Sequence, residues 1–254
     1  MKRLYGVVCT TIFSIVAGHA QGVKASSYAE YGAKNTFSVF ADYSNDSSHI
    51  FIGQEQNRKI VGLGAGYSLR LAHKRFFDFS YEAEVRPLYF VRDPFVLGTE
   101  TFVFSGLPPV VGPTGGSFSG PTMKNCTSGT TVTQVTSPTG SFTATITQQC
   151  GSRWTYMGGI SPMGLRFGFA KRHRFQPFLV ANAGFLMAPH DEPVNNSARF
   201  NFTFEGGAGV EWFRDHQHSF AFDYRVHHLS NAYRGTFNPG IDSSIFRASY
   251  RFGR

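Results

Sequence analysis

One short segment carries an imidazole, a hydroxyl, amides and a carboxylate close enough together to act as a unit. His227-His228-Leu229-Ser230-Asn231-Ala232 is followed by Asn238-Pro239-Gly240-Ile241-Asp242, with strand-like sequence on both sides. These residue types are the parts of an acyl-transfer site. A hydroxyl is a weak nucleophile until a neighbouring base takes its proton, and the base needs a third group to fix its tautomer and carry its charge. Taken alone, His-x-Ser is a short motif that polar loop rims share, and Asn-Pro-Gly is an ordinary turn signal. What separates an active site from a polar loop is the direction in which the side chains point, and the flanking elements decide that.

Those elements are strands. From Phe77 the odd positions Phe77, Phe79, Tyr81, Ala83 and Val85 are apolar, while Asp78, Ser80, Glu82, Glu84 and Arg86 between them are polar. The same period of two sets Val61, Leu63, Ala65, Tyr67, Leu69 and Leu71 against glycines, Ser68 and Arg70, and Phe200, Phe202 and Phe204 against Asn201, Thr203 and Glu205. It continues with Phe220, Phe222, Tyr224 and Val226 against Asp223, Arg225 and His227, and ends with Phe246, Ala248, Tyr250 and Phe252 against Arg247, Ser249 and Arg251. Period-two alternation is the mark of a strand with one apolar and one polar face. A soluble sandwich would have to bury all of these aromatics. An outer-membrane barrel turns them toward lipid and fills its narrow lumen with charged pairs, such as Glu82, Glu84, Arg86, Glu205, Glu211, Asp223 and Arg225 can form.

Connections that are long and short in turn support the barrel. Strands are expected at about 36–43, up to a tight turn at Ala72-His73-Lys74-Arg75, from Phe77 to about Val91, at about 155–170, after the turn Lys171-Arg172-His173-Arg174, before and after Arg214-Asp215-His216-Gln217-His218, and from about Ser243. The fifth is the least regular, because Phe178, Val180 and Leu186 blur its alternation. The expected architecture is all-β: an eight-stranded antiparallel transmembrane β-barrel of the outer membrane, the lower size limit for such barrels. The short basic turns then fall on the periplasmic side. The long connections, including a Gly-, Pro-, Ser- and Thr-rich loop at about 92–153, fall outside, and that loop reads equally as a tolerated insertion or a functional one.

Export is written at the N-terminus. Lys2 and Arg3 precede an apolar run from Leu4 to Ala17 and the small-residue pattern Gly18-His19-Ala20, which suits cleavage after Ala20. Residues 1–20 are therefore expected as a cleaved signal peptide, 21–35 as a periplasmic lead-in and 36–254 as the barrel. The apolar run is shorter than the ~20 residues of a spanning helix. The 24 basic side chains less Lys2 and Arg3, against 16 acidic ones, leave an excess of six. That excess suits an anionic lipid surface or a merely solvated basic one, and export argues against nucleic acid. Of the three cysteines Cys9 lies in the leader, so Cys126 and Cys150 remain as a pair. In an exported chain that suggests a disulfide tying the long loop; no His or acid lies near enough there for a metal site.

Parity locates the reactive cluster. Even positions face lipid on the seventh expected strand, so His228 and Ser230 face outward and His227 faces the lumen. Asp242 has the outward parity of the eighth. Residues two apart on a strand lie ~6.6 Å from each other, and a neighbouring strand is ~4.8 Å away, which sets Asp242 beside His228. Ser230 is then the nucleophile, His228 its base and Asp242 the orienting acid, with Asn238 or backbone N–H groups near Gly240 as oxyanion donors.

His228-x-Ser230-Asn231-Ala232 with Asn238-Pro239-Gly240-Ile241-Asp242 closely resembles the signature of the outer-membrane lipid A 3-O-deacylase family, also called acyloxyacyl hydrolases. Arg199-Phe200-Asn201-Phe202-Thr203-Phe204, Gly206-Gly207-Ala208-Gly209 and Tyr224-Arg225 are similar to that family's penultimate strands. The resemblance covers roughly residues 155–252. It implies a cofactor-free serine esterase facing the outer leaflet, with lipid A or lipopolysaccharide as substrate, Ser230, His228 and Asp242 as triad, Asn238 as an oxyanion donor, and Asn231 in a supporting position. The chain departs from the pattern at Asp242, where the family's best-studied members have glutamate. Two other readings stand beside this one: a non-catalytic barrel with a structural or adhesive role through its long loop, and a soluble lipocalin-like binder with the apolar face inside.

Overall fold

The alternation becomes hydrogen-bond register in the computed structural model, which describes residues 31–47, 50–105, 114–137 and 140–253. The expected signal peptide and most of the lead-in lie outside the described residues. Among those residues no helix forms. Ten strands are present: β1 (Asn35–Ser44), β2 (Lys59–His73), β3 (Phe77–Ser105), β4 (Thr114–Pro121), β5 (Gly129–Ser137), β6 (Gly140–Phe169), β7 (Phe175–Glu192), β8 (Ala198–Phe213), β9 (His218–Ser230) and β10 (Ile241–Gly253). Eight of them close a ring in the order β1-β2-β3-β6-β7-β8-β9-β10, all antiparallel, with β10 pairing back onto β1 from Phe252↔Phe37 to Phe246↔Tyr43. Closure leaves no unpaired edge in the ring, the condition for a β structure to span lipid.

The faces are as the alternation requires. Phe37, Val39, Leu63, Leu179, Phe204, Phe222 and Phe246 are exposed on the outside, a band of apolar and aromatic side chains that water would not tolerate but lipid does. Inside, Arg247 binds Asp42 at 2.6 and 2.8 Å and Glu84 at 2.6 Å, Arg225 binds Asp223, Glu84 and Glu205, and Arg86 binds Glu84 and Glu205. Nearer the short turns Arg166 and Arg251 share Glu211, and Arg251 also reaches Glu82. Each buried charge thus has a partner, without which burial would be prohibitive. The irregular residues of β7 have a place as well. Phe178 and Val180 form an apolar patch with Ala221 inside the barrel, and the Arg166 guanidinium lies over the Phe178 ring. Leu186 joins Ile60, Tyr89, Val91, Met157, Ala188, Leu229 and Ile241 in an apolar layer at the opposite end.

Strand β3 does not keep one parity throughout. Its register slips against β2 between Val85 and Leu88 and against β6 between Arg86 and Tyr89, so Tyr89, Val91 and Asp93 turn inward while Leu88 is exposed. Pro87 sits in this bulge, where a residue without an N–H costs no ladder bond.

The segment 92–153, expected as a loop, is a correction. Strands β3 and β6 stay paired beyond the barrel as far as Ser105↔Ser141, and β4 and β5 flank them to give a four-stranded sheet in the order β4-β3-β6-β5. From Asp93 to Ser105 this sheet projects on the order of 40 Å at strand rise. Its threonines (Thr99, Thr101, Thr143, Thr145, Thr147) are good strand formers, and the polar composition reflects exposure of the sheet rather than lack of structure. A disulfide joins Cys126, in the connection between β4 and β5, to Cys150 on β6. At the other end of the barrel the described part of the lead-in is ordered against the short turns: Tyr31 donates its N–H to Lys171 O and stacks on His216.

Candidate active site

Strands β9 and β10 are consecutive and pair with Asp242 opposite His228 and Ile241 opposite Leu229. Leu229 and Ile241 lie in the inner apolar layer, so their neighbours His228 and Asp242 face out, and His228 is flanked on its other side by the exposed Phe204. His227 points into the barrel, fully buried, with Nε2 4.0 Å from Glu205.

On the outer face His228 Nδ1 and Asp242 Oδ1 are 2.6 Å apart. Asp242 is completely buried although its strand faces outward, because the β1–β2 connection folds over it. Three successive backbone N–H groups there, those of Phe51, Ile52 and Gly53, donate to Asp242 Oδ2 at 2.6, 3.0 and 2.9 Å. Convergent amides of this kind form an anion-binding nest and favour the ionised carboxylate. An ionised Asp242 makes Nδ1 of His228 the donor, which leaves Nε2 as the acceptor a general base needs. The connection is held in place by Gln54 N–H on Pro239 O (2.8 Å) and Glu55 N–H on Gly240 O (3.2 Å). Gly53 has to be glycine, since a Cβ there would meet Asp242 N at 2.5 Å. Gly240, at φ +66°, leaves room for the imidazole: a Cβ would come within 3.2 Å of His228 Cε1.

Ser230 ends β9, half-buried on the same outer face. Its Oγ accepts from Ala232 N–H at 3.4 Å, and no hydrogen bond joins it to His228. The structure therefore brings base and acid together and leaves the hydroxyl one strand step away. Asn238 Oδ1 accepts from Asn231 N–H at 3.0 Å, so its Nδ2 donors are turned away from that bond. Asn231 is fully buried and donates Nδ2–H to Phe237 O at 2.7 Å, which makes it a clamp of the 231–240 turn. Below the dyad, about four residues or ~13 Å along β9, the barrel's outer surface has an apolar trough of about 570 Å³ between Ala41, Ala208, Phe222, Tyr224, Phe246 and Ala248.

The amide nest at Phe51–Gly53 was not evident in the sequence. Its one signal is the apolar run Ile50-Phe51-Ile52-Gly53 inside an otherwise polar connection. No group of metal-ligating side chains is present among the described residues.

The family model described as lipid A 3-O-deacylase (PagL) matches residues 127–251, just under half of the chain, from the connection between β4 and β5 to near the end of β10. The chain is thereby similar to that family over this range, which includes residues 227–242. No curated protein matches the chain. Among solved structures the chain is similar to Neisserial surface protein A (NspA), at 12% identity, a TM-score of 0.41 and coverage of 87% of this chain and 98% of that one. It is also similar to the outer membrane protein OprG from Pseudomonas aeruginosa, at 10% identity, a TM-score of 0.42 and coverage of 89% and 99%.

Proposed function

We propose that this outer-membrane barrel is an esterase that removes the 3-O-linked acyl chain of lipid A, with Ser230 as nucleophile, His228 as base and Asp242 as orienting acid. The observation that carries the proposal is the His228–Asp242 pair at 2.6 Å, held by three amides on a lipid-facing surface. Ionisable groups on the outside of a membrane barrel are costly, and the cost falls toward the interface. A buried amide nest built around one of them points to use. The family match at residues 127–251 names the ester.

In the mechanism Ser230 Oγ leaves its 3.4 Å contact with Ala232 N–H and turns by one rotamer to donate to His228 Nε2. It attacks the ester carbonyl as His228 takes the proton, and Asp242 stabilises the imidazolium. Asn238 Nδ2 donates to the developing oxyanion. His228 returns the proton to the departing sugar hydroxyl. Water, deprotonated by His228, then cleaves the acyl-serine and releases a 3-hydroxy fatty acid whose chain has lain along the apolar trough. Nothing in these steps calls on a metal or cofactor.

A second reading, a barrel with a structural or adhesive role, is favoured by the projecting sheet β4-β3-β6-β5. Mass spectrometry of lipid A from cells with and without the chain decides between them. The esterase reading expects loss of the 3-O-acyl group with the wild type and its full retention with Ser230→Ala. Unchanged lipid A under active expression leaves the adhesive reading.

A further inference from the structure

The β1–β2 connection has two flanks. Residues 51–53 hold Asp242, while Asn45, Asp46 and Asn57 wall a separate cavity of about 460 Å³ that the proposed chemistry does not use. Its position follows from register. Lys59 is paired with Arg92 and Arg92 with Trp154, and Trp154 and Tyr156 are 51% and 46% exposed, so Lys59 and Arg92 lie on the barrel's outer face at the upper margin of the apolar band. Tryptophan and tyrosine at such a margin mark the level of lipid headgroups.

The cavity's chemistry differs from that of the barrel interior, where each arginine has its carboxylate. Neither Lys59 nor Arg92 has a carboxylate partner among the described residues. Arg92 donates Nε–H to Ser152 Oγ at 2.9 Å, which fixes the guanidinium plane and leaves its Nη donors for a ligand. Of the acids in the wall, Asp93 is engaged by Arg58 at 3.0 Å and by Thr155 at 3.2 Å. Asp46 remains, and with Asn45, Asn57 and Asn125 it offers the acceptors and donors that sugar hydroxyls use. Asn125 adjoins Cys126, so the disulfide fixes one wall.

We propose that this cavity binds the anionic saccharide headgroup of a lipid, with Lys59 and Arg92 on its phosphate and the amides on its hydroxyls. Three strand spacings, ~15 Å, separate β10 from β3, so one glycolipid spans the cavity and the Asp242 nest. Only the identity of that lipid as lipid A rests on the deacylase reading.

The test uses full-length chain carrying Ser230→Ala, so that hydrolysis does not deplete the ligand, in phosphatidylcholine nanodiscs. Three probes are compared: bisphosphorylated lipid A, the same lipid A dephosphorylated, and free glucosamine 1-phosphate. Adding Lys59→Gln and Arg92→Gln is expected to weaken binding of phosphorylated lipid A about tenfold or more, the scale of losing charge-assisted contacts. Dephosphorylated lipid A should bind both proteins alike, and Lys59→Arg with Arg92→Lys should keep most of the affinity. Heat-dependent gel mobility checks that each barrel is folded. Undiminished binding of phosphorylated lipid A by the Gln variant overturns the proposal, and free glucosamine 1-phosphate binding as tightly as lipid A overturns the assignment to a lipid. The two readings fail separately. A chain with Ser230 intact that binds lipid A through Lys59 and Arg92 yet releases no acyl chain loses only the deacylase reading; Gln variants with Ser230 intact that bind and deacylate like the wild type lose only the headgroup site.

Discussion

Asp242 stands where the resemblance to the best-studied deacylases implies glutamate, and its surroundings suit the shorter side chain. The backbone of Phe51–Gly53 closes on the carboxylate so tightly that even a Cβ on Gly53 would sit 2.8 Å from Asp242 Cγ. The reach that a methylene supplies elsewhere is supplied here by the approach of the connection. Asp242→Glu is therefore expected to lower kcat even though it restores the family residue, because the longer side chain displaces the nest or the imidazole; activity at or above wild type would sink this account. Asp242→Asn keeps the shape and removes the charge. It should cost roughly a hundredfold or more in kcat with little change in KM, as when another triad acid is neutralised. Gly53→Ala should produce a similar kcat loss at a distance of 189 residues along the chain, read by the same lipid A assay. The hydroxyl, imidazole and carboxylate were legible as residue types, and strand parity gave their common face. The nest was not legible, because its partners meet only when β10 closes on β1, and a backbone N–H leaves no mark in a sequence.

At the scale of elements the β1–β2 connection is the piece on which the site depends, and Arg58 pins it. This side chain is fully buried and donates to the carbonyls of Gln56, Thr122, Met123 and Pro193 while pairing with Glu55 and Asp93. Arg58→Met removes the fully buried cation that pairs with those two acids and leaves four carbonyls without this donor, a loss on the scale of ~3–5 kcal/mol for one partner of a buried pair. Most of it should appear as local release of residues 50–58 rather than as barrel unfolding, seen as faster amide exchange at Phe51–Gly53 together with lost activity. Glu55 adds a pH dependence. Burial outweighs Arg58 and pushes its carboxyl up to about 7, above the usual carboxylate value. The folded state therefore holds a proton that the unfolded state releases at lower pH, so stability is greatest in acid and is lost as pH rises toward about 7. Heating at a pH near 5 should preserve more activity, assayed afterwards at one common pH, than heating near 8, and Glu55→Gln should reduce the difference; burial likewise pushes the Glu192 carboxyl up, to about 8, and that group supplies the remainder. Polarity alone marked this segment as a loop; the buried Glu55–Arg58 pair within it gave no separate signal.

At the scale of the whole molecule the barrel and its projecting sheet are stabilised by different means. The ring rests on closure and on the paired charges around Glu84, Glu205 and Arg247, and its eight strands were legible because each has one lipid face and one lumen face. The projecting sheet lacks that two-sided environment, so its threonines and glycines read as a loop and only the cysteine pair hinted at order. Replacing residues 97–149 by a tight turn between Val96 and Cys150, which already face each other in register, with Cys150→Ser to avoid a free thiol, separates the two parts. The barrel should still assemble and keep its heat-dependent gel mobility, since no lumen ion pair is touched. Activity should nevertheless fall, because Thr122 and Met123, whose carbonyls receive Arg58, leave with the sheet and the connection that carries the Asp242 nest loses part of its anchor. A variant with wild-type turnover would show that the nest stands on its own hydrogen bonds to Pro239 and Gly240, and a variant that fails to assemble would show that the long β3–β6 pairing is needed to close the ring.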